Sequence, residues 1–213
     1  MIKRKTRRQQ DTGLVRRGKV NLLREYIREL LTERRGGTVH PKIYEMIASA
    51  DEKGYKVAAR NYEVVLYDKD PSVYQGAVKP IAIVQWTDDD MYGPCLGASM
   101  VSHSKAMGSY GPLLYDLAIE MTGGLVPDRT SVTDFARNVW DFYNTQRTDV
   151  DKEQLDDLRN TLTDTTKDNC EQLSAAKDSN TEDLDWERSS LSKKYSKQGR
   201  PVYKELEGRG MIV

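Results

Sequence analysis

CLGASMVSHSKAMGSYGPLLYDLAIEMT, residues 95–122, is the stretch that decides how this chain folds. Its first part, CLGASMVSH (95–103), reads as a strand, and SKAMGSYGP (104–112) as a glycine-bearing loop. LLYDLAIEMT (113–122) then places Leu113, Leu114, Leu117 and Ala118 on one helix face, with Gly123-Gly124 as the stop. A glycine loop running into a helix N-terminus offers backbone N–H groups and a positive dipole end to an anion. The loop has no Gly-Lys-Ser/Thr ending and no three spaced glycines, so it is neither a phosphate loop of the nucleotide-hydrolase kind nor a dinucleotide fingerprint.

Outward from this stretch the chain reads as a mixed α/β protein. Upstream, YKVAARNYEVVLYDK (55–69) and PIAIVQWT (80–87) are strand-like runs with short connections, which predicts an antiparallel meander. A helix begins at Pro41 and carries Ile43, Met46, Ile47 and Ala50 inward. Before it, Asn21 caps a helix bearing Leu22, Leu23, Tyr26, Ile27, Leu30 and Leu31. Downstream, Leu125-Val126 is a short extended piece, and Ser131 is placed to cap a helix carrying Phe135, Val139, Phe142 and Tyr143. A strand–helix–strand crossover makes one parallel pair part of the expected, mostly antiparallel, sheet. Beyond residue 147 the apolar content thins: Leu155, Leu158 and Leu162 form one narrow helical stripe, and a last helix starts at Pro201 with Tyr203 and Leu206 inward. The expected organisation is a basic arm and helix over 1–39, an α/β domain over 40–147 and a charged helical extension over 148–213. So few apolar groups cannot fold the extension alone; it wraps the main domain or stays partly disordered.

The 33 basic and 33 acidic side chains cancel, yet they are segregated. Residues 1–35 carry a balance of +8 and residues 149–187 one of −9. No apolar run is long enough for a membrane span, and no apolar region follows the basic N-terminus as in a secretory signal. Cys95 and Cys170 are too few for a disulfide framework or a zinc site, so reduced thiols in a cytosolic protein are expected. The aspartates at 88–90, without histidine or cysteine nearby, give no metal signal. His103, beside the loop, is a candidate general base near neutral pH, with Glu63 and Asp88–Asp90 as alternatives. Ser102, His103 and Asp116 make no hydrolase triad, because no nucleophile-elbow motif surrounds the serine.

The order meander, strand, loop, helix, strand and Tyr-bearing helix resembles the GNAT N-acetyltransferase family. That family's Gln/Arg-x-x-Gly-x-Gly/Ala loop is matched without a gap by Lys105-Ala-Met-Gly108-Ser-Tyr110, followed by Leu113-Leu114. The wording of GSYGPLLYD and PDRTSVTDFARNVWDFY is also similar to acetyltransferase-like proteins of tailed phages. The resemblance, over roughly 55–147, implies a GNAT-like fold, acetyl-CoA as cofactor, no metal, and transfer of an acetyl group to an amine. It implies a cofactor site built from Val101, His103, Lys105, Gly108, Ser109, Tyr110 and Gly111, with Tyr143 as the acid for the departing thiolate. It also implies a cytoplasmic place, in the host cell if the chain is phage-encoded, or a place in the virion. Three departures stand out: Tyr110 takes a glycine or alanine position, Pro112 removes one N–H donor, and no Gly-Phe follows Tyr143. They fit either a divergent enzyme or an inactive GNAT-like protein that binds partners, and they make Tyr110 a gate to the cofactor site.

The basic arm has only Leu14 and Val15 to bury between Lys3 and Arg17, so ordering it requires an acidic partner. Two partners fit: nucleic-acid phosphates, or the acidic 149–187 segment of the same or a second copy in a homo-oligomer. Deleting residues 1–18 separates them. Loss of a salt-sensitive gel shift with DNA or RNA identifies phosphates. A changed stability or oligomeric state, with nucleic-acid binding untouched, identifies the acidic segment, and a deletion that alters neither shows the arm to be a solvated tail.

Overall fold

The computed structural model describes residues 37–68, 79–157, 159, 162–173 and 186–213. The basic arm with its helix, the turn around Asp70-Pro71, Leu158 and Leu184 lie outside the described residues.

Helix α1 (Pro41–Glu52) starts where proline costs no hydrogen bond, and the His40 ring caps it by accepting from the Lys42 N–H at 3.2 Å. The run read as one strand over 55–69 is a hairpin, β1 (Lys56–Arg60) and β2 (Glu63–Asp68). Its two-residue turn holds Tyr62 at φ 67°, a left-handed conformation uncommon for an aromatic residue. The Tyr62 carbonyl accepts from the Trp86 N–H at 3.0 Å, tying the turn to the next strand. β3 (Lys79–Thr87) and β4 (Ser99–Ala106) continue the antiparallel meander. Opposite the Gln85–Trp86 step the register shifts: Trp86 faces Val101 and Gln85 faces His103, which leaves Ser102 as the extra residue of a bulge.

The chain then crosses through α2 (Gly111–Thr122), closed by Gly123 at φ 73°, to β5 (Leu125–Val126). β5 runs parallel to β4 for only two pairs, Ser99 with Leu125 and Met100 with Val126. Helix α3 (Asp134–Gln146) follows, and its cap is Thr133, whose hydroxyl accepts from the Ala136 N–H, not Ser131.

Among its described residues, the C-terminal third, expected to be a helical extension, holds two strands as well as a helix. It supplies β6 (Asp151–Gln154) and β7 (Lys193–Ser196), so the sheet order is β1-β2-β3-β4-β5-β7-β6. At the start of the Leu155–Leu162 stripe, β6 ends at Gln154 and Leu155 is buried in a small cluster with Met100 and Val126. Helix α4 (Pro201–Gly208) begins at its expected proline, and the chain end then lies along β1, with Val57 and Ile212 bridged in parallel. That contact covers an otherwise open sheet edge. Residues 37–213 form a single unit around α2, on which eight consecutive residues from Leu113 to Glu120 are buried.

Reduced thiols were expected, but Cys95 and Cys170 form a disulfide across 75 residues of sequence. Backbone pairing brings them together, the Cys95 N–H donating to the Asn169 carbonyl and the Leu96 N–H to the Lys167 carbonyl. Sequence spacing carries no trace of that pairing, because it is made by the β3–β4 connection docking on a distant loop. Beside it, the fully buried Arg129 donates to the carbonyls of Cys170, Glu171 and Leu191 at 2.8–2.9 Å. Burial lowers its pKa to about 9, against the opposing charge of Asp128. Closing so long a loop stabilises the fold by about 4 kcal/mol through the unfolded state. Reduction with dithiothreitol, or Cys170→Ser, is therefore expected to lower the thermal midpoint clearly, as followed by circular dichroism with and without reductant.

Candidate functional site

Because β5 leaves β4 after two residue pairs, the β4 edge from Val101 to Ala106 has no strand beside it among the described residues. A cavity of about 710 Å³ opens there, walled by the ends of β3 and β4, the 108–112 loop, and faces of α1, α2 and α3. Its rim is exposed and polar, with Lys42, Lys105, Ser109, Thr133 and Asn138, and it carries one apolar side chain, Phe135, that is 86% exposed. Its floor is buried and apolar: Met46, Ala82, Val84, Leu114 and Phe142. The floor's polar atom is the Tyr115 hydroxyl, which donates to Ser104 Oγ at 3.0 Å. Burial pushes the Tyr115 pKa up to about 12, so it stays neutral. Lys42 Nζ lies 4.6 Å from the centre of the Phe142 ring, a cation–π contact that holds a positive charge at the mouth.

The sequence-predicted residues divide sharply. Lys105, Gly108, Ser109 and Gly111 line the cavity, and Gly108 sits at φ 69°, where a Cβ would be strained. His103 is exposed on β4 and Val101 is buried in the core, and neither lines the cavity. Glu63 does not line it either, accepting from Gln85 Nε2 at 3.1 Å and facing Arg60. Asp88 accepts from the Ser99 hydroxyl at 2.6 Å.

Tyr110, expected as a gate, does not line the cavity. Its side chain is buried against α1, its hydroxyl meeting Ser49 Oγ at 3.1 Å and Lys53 Nζ at 2.9 Å, while its ring packs edge-on against Tyr55. The backbone at this position turns the loop into α2, and one edge of the ring also lies within van der Waals reach of Gly108.

Tyr143 is also withdrawn from the cavity. It is fully buried, and its hydroxyl meets Asp116 Oδ1 and lies 2.9 Å from the Pro112 carbonyl. Burial, then the Asp116 charge, hold its pKa far above the usual tyrosine range. Arg147 grips both Asp116 oxygens at 2.9 Å and both Asp149 oxygens at 2.7 Å. Lys197 Nζ completes the network, 3.3 Å from Asp116 and 3.2 Å from Glu120. Sequence reading missed Lys42, Met46, Asn138 and Phe142 as wall residues. Nothing in their spacing sets them apart from the core-facing residues around them.

Among the described residues no group of three or more His, Cys, Asp or Glu side chains is arranged to hold a metal ion, and no helix is long and apolar enough to cross a membrane. Comparison of the chain with protein-family models, with curated proteins and with solved structures gives no match.

The Asp149 carboxyl sits below its ordinary range: burial pushes it up, and the bonds and charge of Arg147, helped by Lys197, outweigh that. Its stabilising contribution is present above about pH 4 and fades as pH falls through the lowered value. Asp149→Asn is expected to lose about 2 kcal/mol at pH 7. In urea titrations at both pH values, the gap to the parent should narrow by pH 3.

Proposed function

We propose that this chain is a GNAT-like protein that binds a coenzyme A thioester in the β4–α2 cavity without using Tyr143 to transfer the acyl group. The observation that carries the reading is the wall itself: Lys105, Gly108, Ser109 and Gly111, four of the seven residues that the resemblance assigns to a cofactor site, line one cavity at the start of α2. The first turn of α2 has N–H groups without intrahelical partners, apart from Pro112, and its dipole adds positive charge. Lys42 and Lys105 add two more charges at the rim, which suits phosphates. The β4 edge beyond Met100, which has no strand beside it among the described residues, offers backbone groups to the amides of a pantetheine arm. Among the described residues no carboxylate, histidine or cysteine lines the cavity, and its one tyrosine, Tyr115, already donates its hydroxyl proton to Ser104, so an acid for the departing thiolate is poorly supplied. The role is then that of a binding component, as in the inactive branch of the phage resemblance.

Transfer to an amine is the second reading. The bulge at Ser102 favours it, because an extra unpaired residue on β4 can aim a backbone donor at a thioester oxygen.

Calorimetry with acetyl-CoA, together with a thiol-release assay over a panel of amines, decides between the two. Binding is expected, weakened about tenfold when Lys42→Ala and Lys105→Ala are combined, with no thiol released above the uncatalysed rate. Absence of binding at millimolar acetyl-CoA overturns the proposal. Amine-dependent thiol release above the uncatalysed rate establishes the second reading instead.

A further inference from the structure

We infer that the floor of this cavity accommodates an alkyl chain longer than acetyl, so that the preferred ligand is a medium-chain acyl thioester; the inference rests on the coenzyme A reading above. The floor residues Met46, Ala82, Val84, Leu114 and Phe142 offer a ligand no free polar group, and the Tyr115 hydroxyl among them is already engaged with Ser104. Water filling such a space lacks the two to four polar partners that hold a buried water. A single acetyl methyl covers little of it, whereas a methylene chain covers it without leaving any polar group unpaired.

The floor is also in the right place. Ala82 and Val84 of β3 pair in register with Ala106 and Ser104 of β4, so the apolar surface runs directly beside the strand whose other edge is open to the thioester arm. At the rim, Phe135 is 86% exposed although it sits on the cavity wall, and it is the kind of apolar surface that a bound chain covers. Ala82 sets the depth: it is 2% exposed, and its small side chain leaves floor space that a larger one would occupy.

Each methylene moved from water to an apolar surface raises affinity about fourfold. Calorimetry of the full chain with CoA, acetyl-CoA, hexanoyl-CoA, octanoyl-CoA and free octanoate tests the inference. Octanoyl-CoA is expected to bind at least tenfold more tightly than acetyl-CoA, and Ala82→Leu to flatten the dependence on chain length. Equal affinity for acetyl-CoA and octanoyl-CoA overturns the inference and leaves the coenzyme A reading standing. Octanoate binding as tightly as octanoyl-CoA, or no thioester binding at all, overturns both. Should Ala82→Leu not fold, the chain-length series on the parent protein decides alone.

Discussion

Arg147, with no exposed side-chain surface, lies at the end of α3 and grips Asp116 on α2 through both carboxylate oxygens. Taking such charges out of water costs several kcal/mol per ion, and the pair survives because nearly every oxygen is bonded: Asp116 by Arg147, Tyr143 and Lys197, and Asp149 by Arg147. A pair of this kind adds little net stability over an apolar replacement, yet removing one partner costs about 3–5 kcal/mol. Its effect is to set position. Two helices and the turn before β6 are locked to one another, and Lys197, just past β7, is drawn to the same point. Glu120, one turn further along α2, accepts the first N–H groups of α4 from Val202 and Tyr203. Three carboxylates of the central unit thereby anchor a C-terminal region that has too few apolar residues to hold itself.

The same network shapes the cavity by subtraction. It holds the Tyr143 hydroxyl on the far side of α2's first turn, leaving the wall to Phe142, its neighbour in sequence. On a helix, adjacent side chains point about 100° apart, so one of the pair faces the buried charges and the other faces the cavity. The cavity in turn exists because β5 is two residues long: Pro127 follows at once, the chain leaves the sheet, and among the described residues no strand takes up the remaining edge of β4. A rim with two lysines over an apolar floor suits a ligand that is anionic at one end and apolar at the other.

What could be read from the residues alone is what local chemistry governs. Pro41 and Pro201 mark helix starts because proline fits only the first turn, and the four apolar positions of α1 are buried as their spacing requires. The order strand, glycine loop, helix was legible because a glycine at positive φ and a proline-initiated helix are short-range features, but the loop is shorter than the 104–112 read from sequence, since β4 pairs with β3 as far as Ala106 and α2 starts at Gly111. Four of the seven residues proposed for the cofactor site lie on the cavity wall for the same reason.

Tertiary structure alone decided the rest, wherever an outcome depends on a partner distant in the chain. The Cys95–Cys170 disulfide depends on two loops docking. The polar stretch after residue 150 has weak propensity of its own, and it becomes strand because the β7 edge is there to pair with it. Tyr110 and Tyr143 look like site residues from their position in the loop and helix. Burial against Ser49 and Lys53 in one case, and against Asp116 in the other, removes both from the cavity. A tyrosine hydroxyl goes where its desolvation is repaid by a hydrogen bond, and no sequence window as short as a helix turn contains that partner.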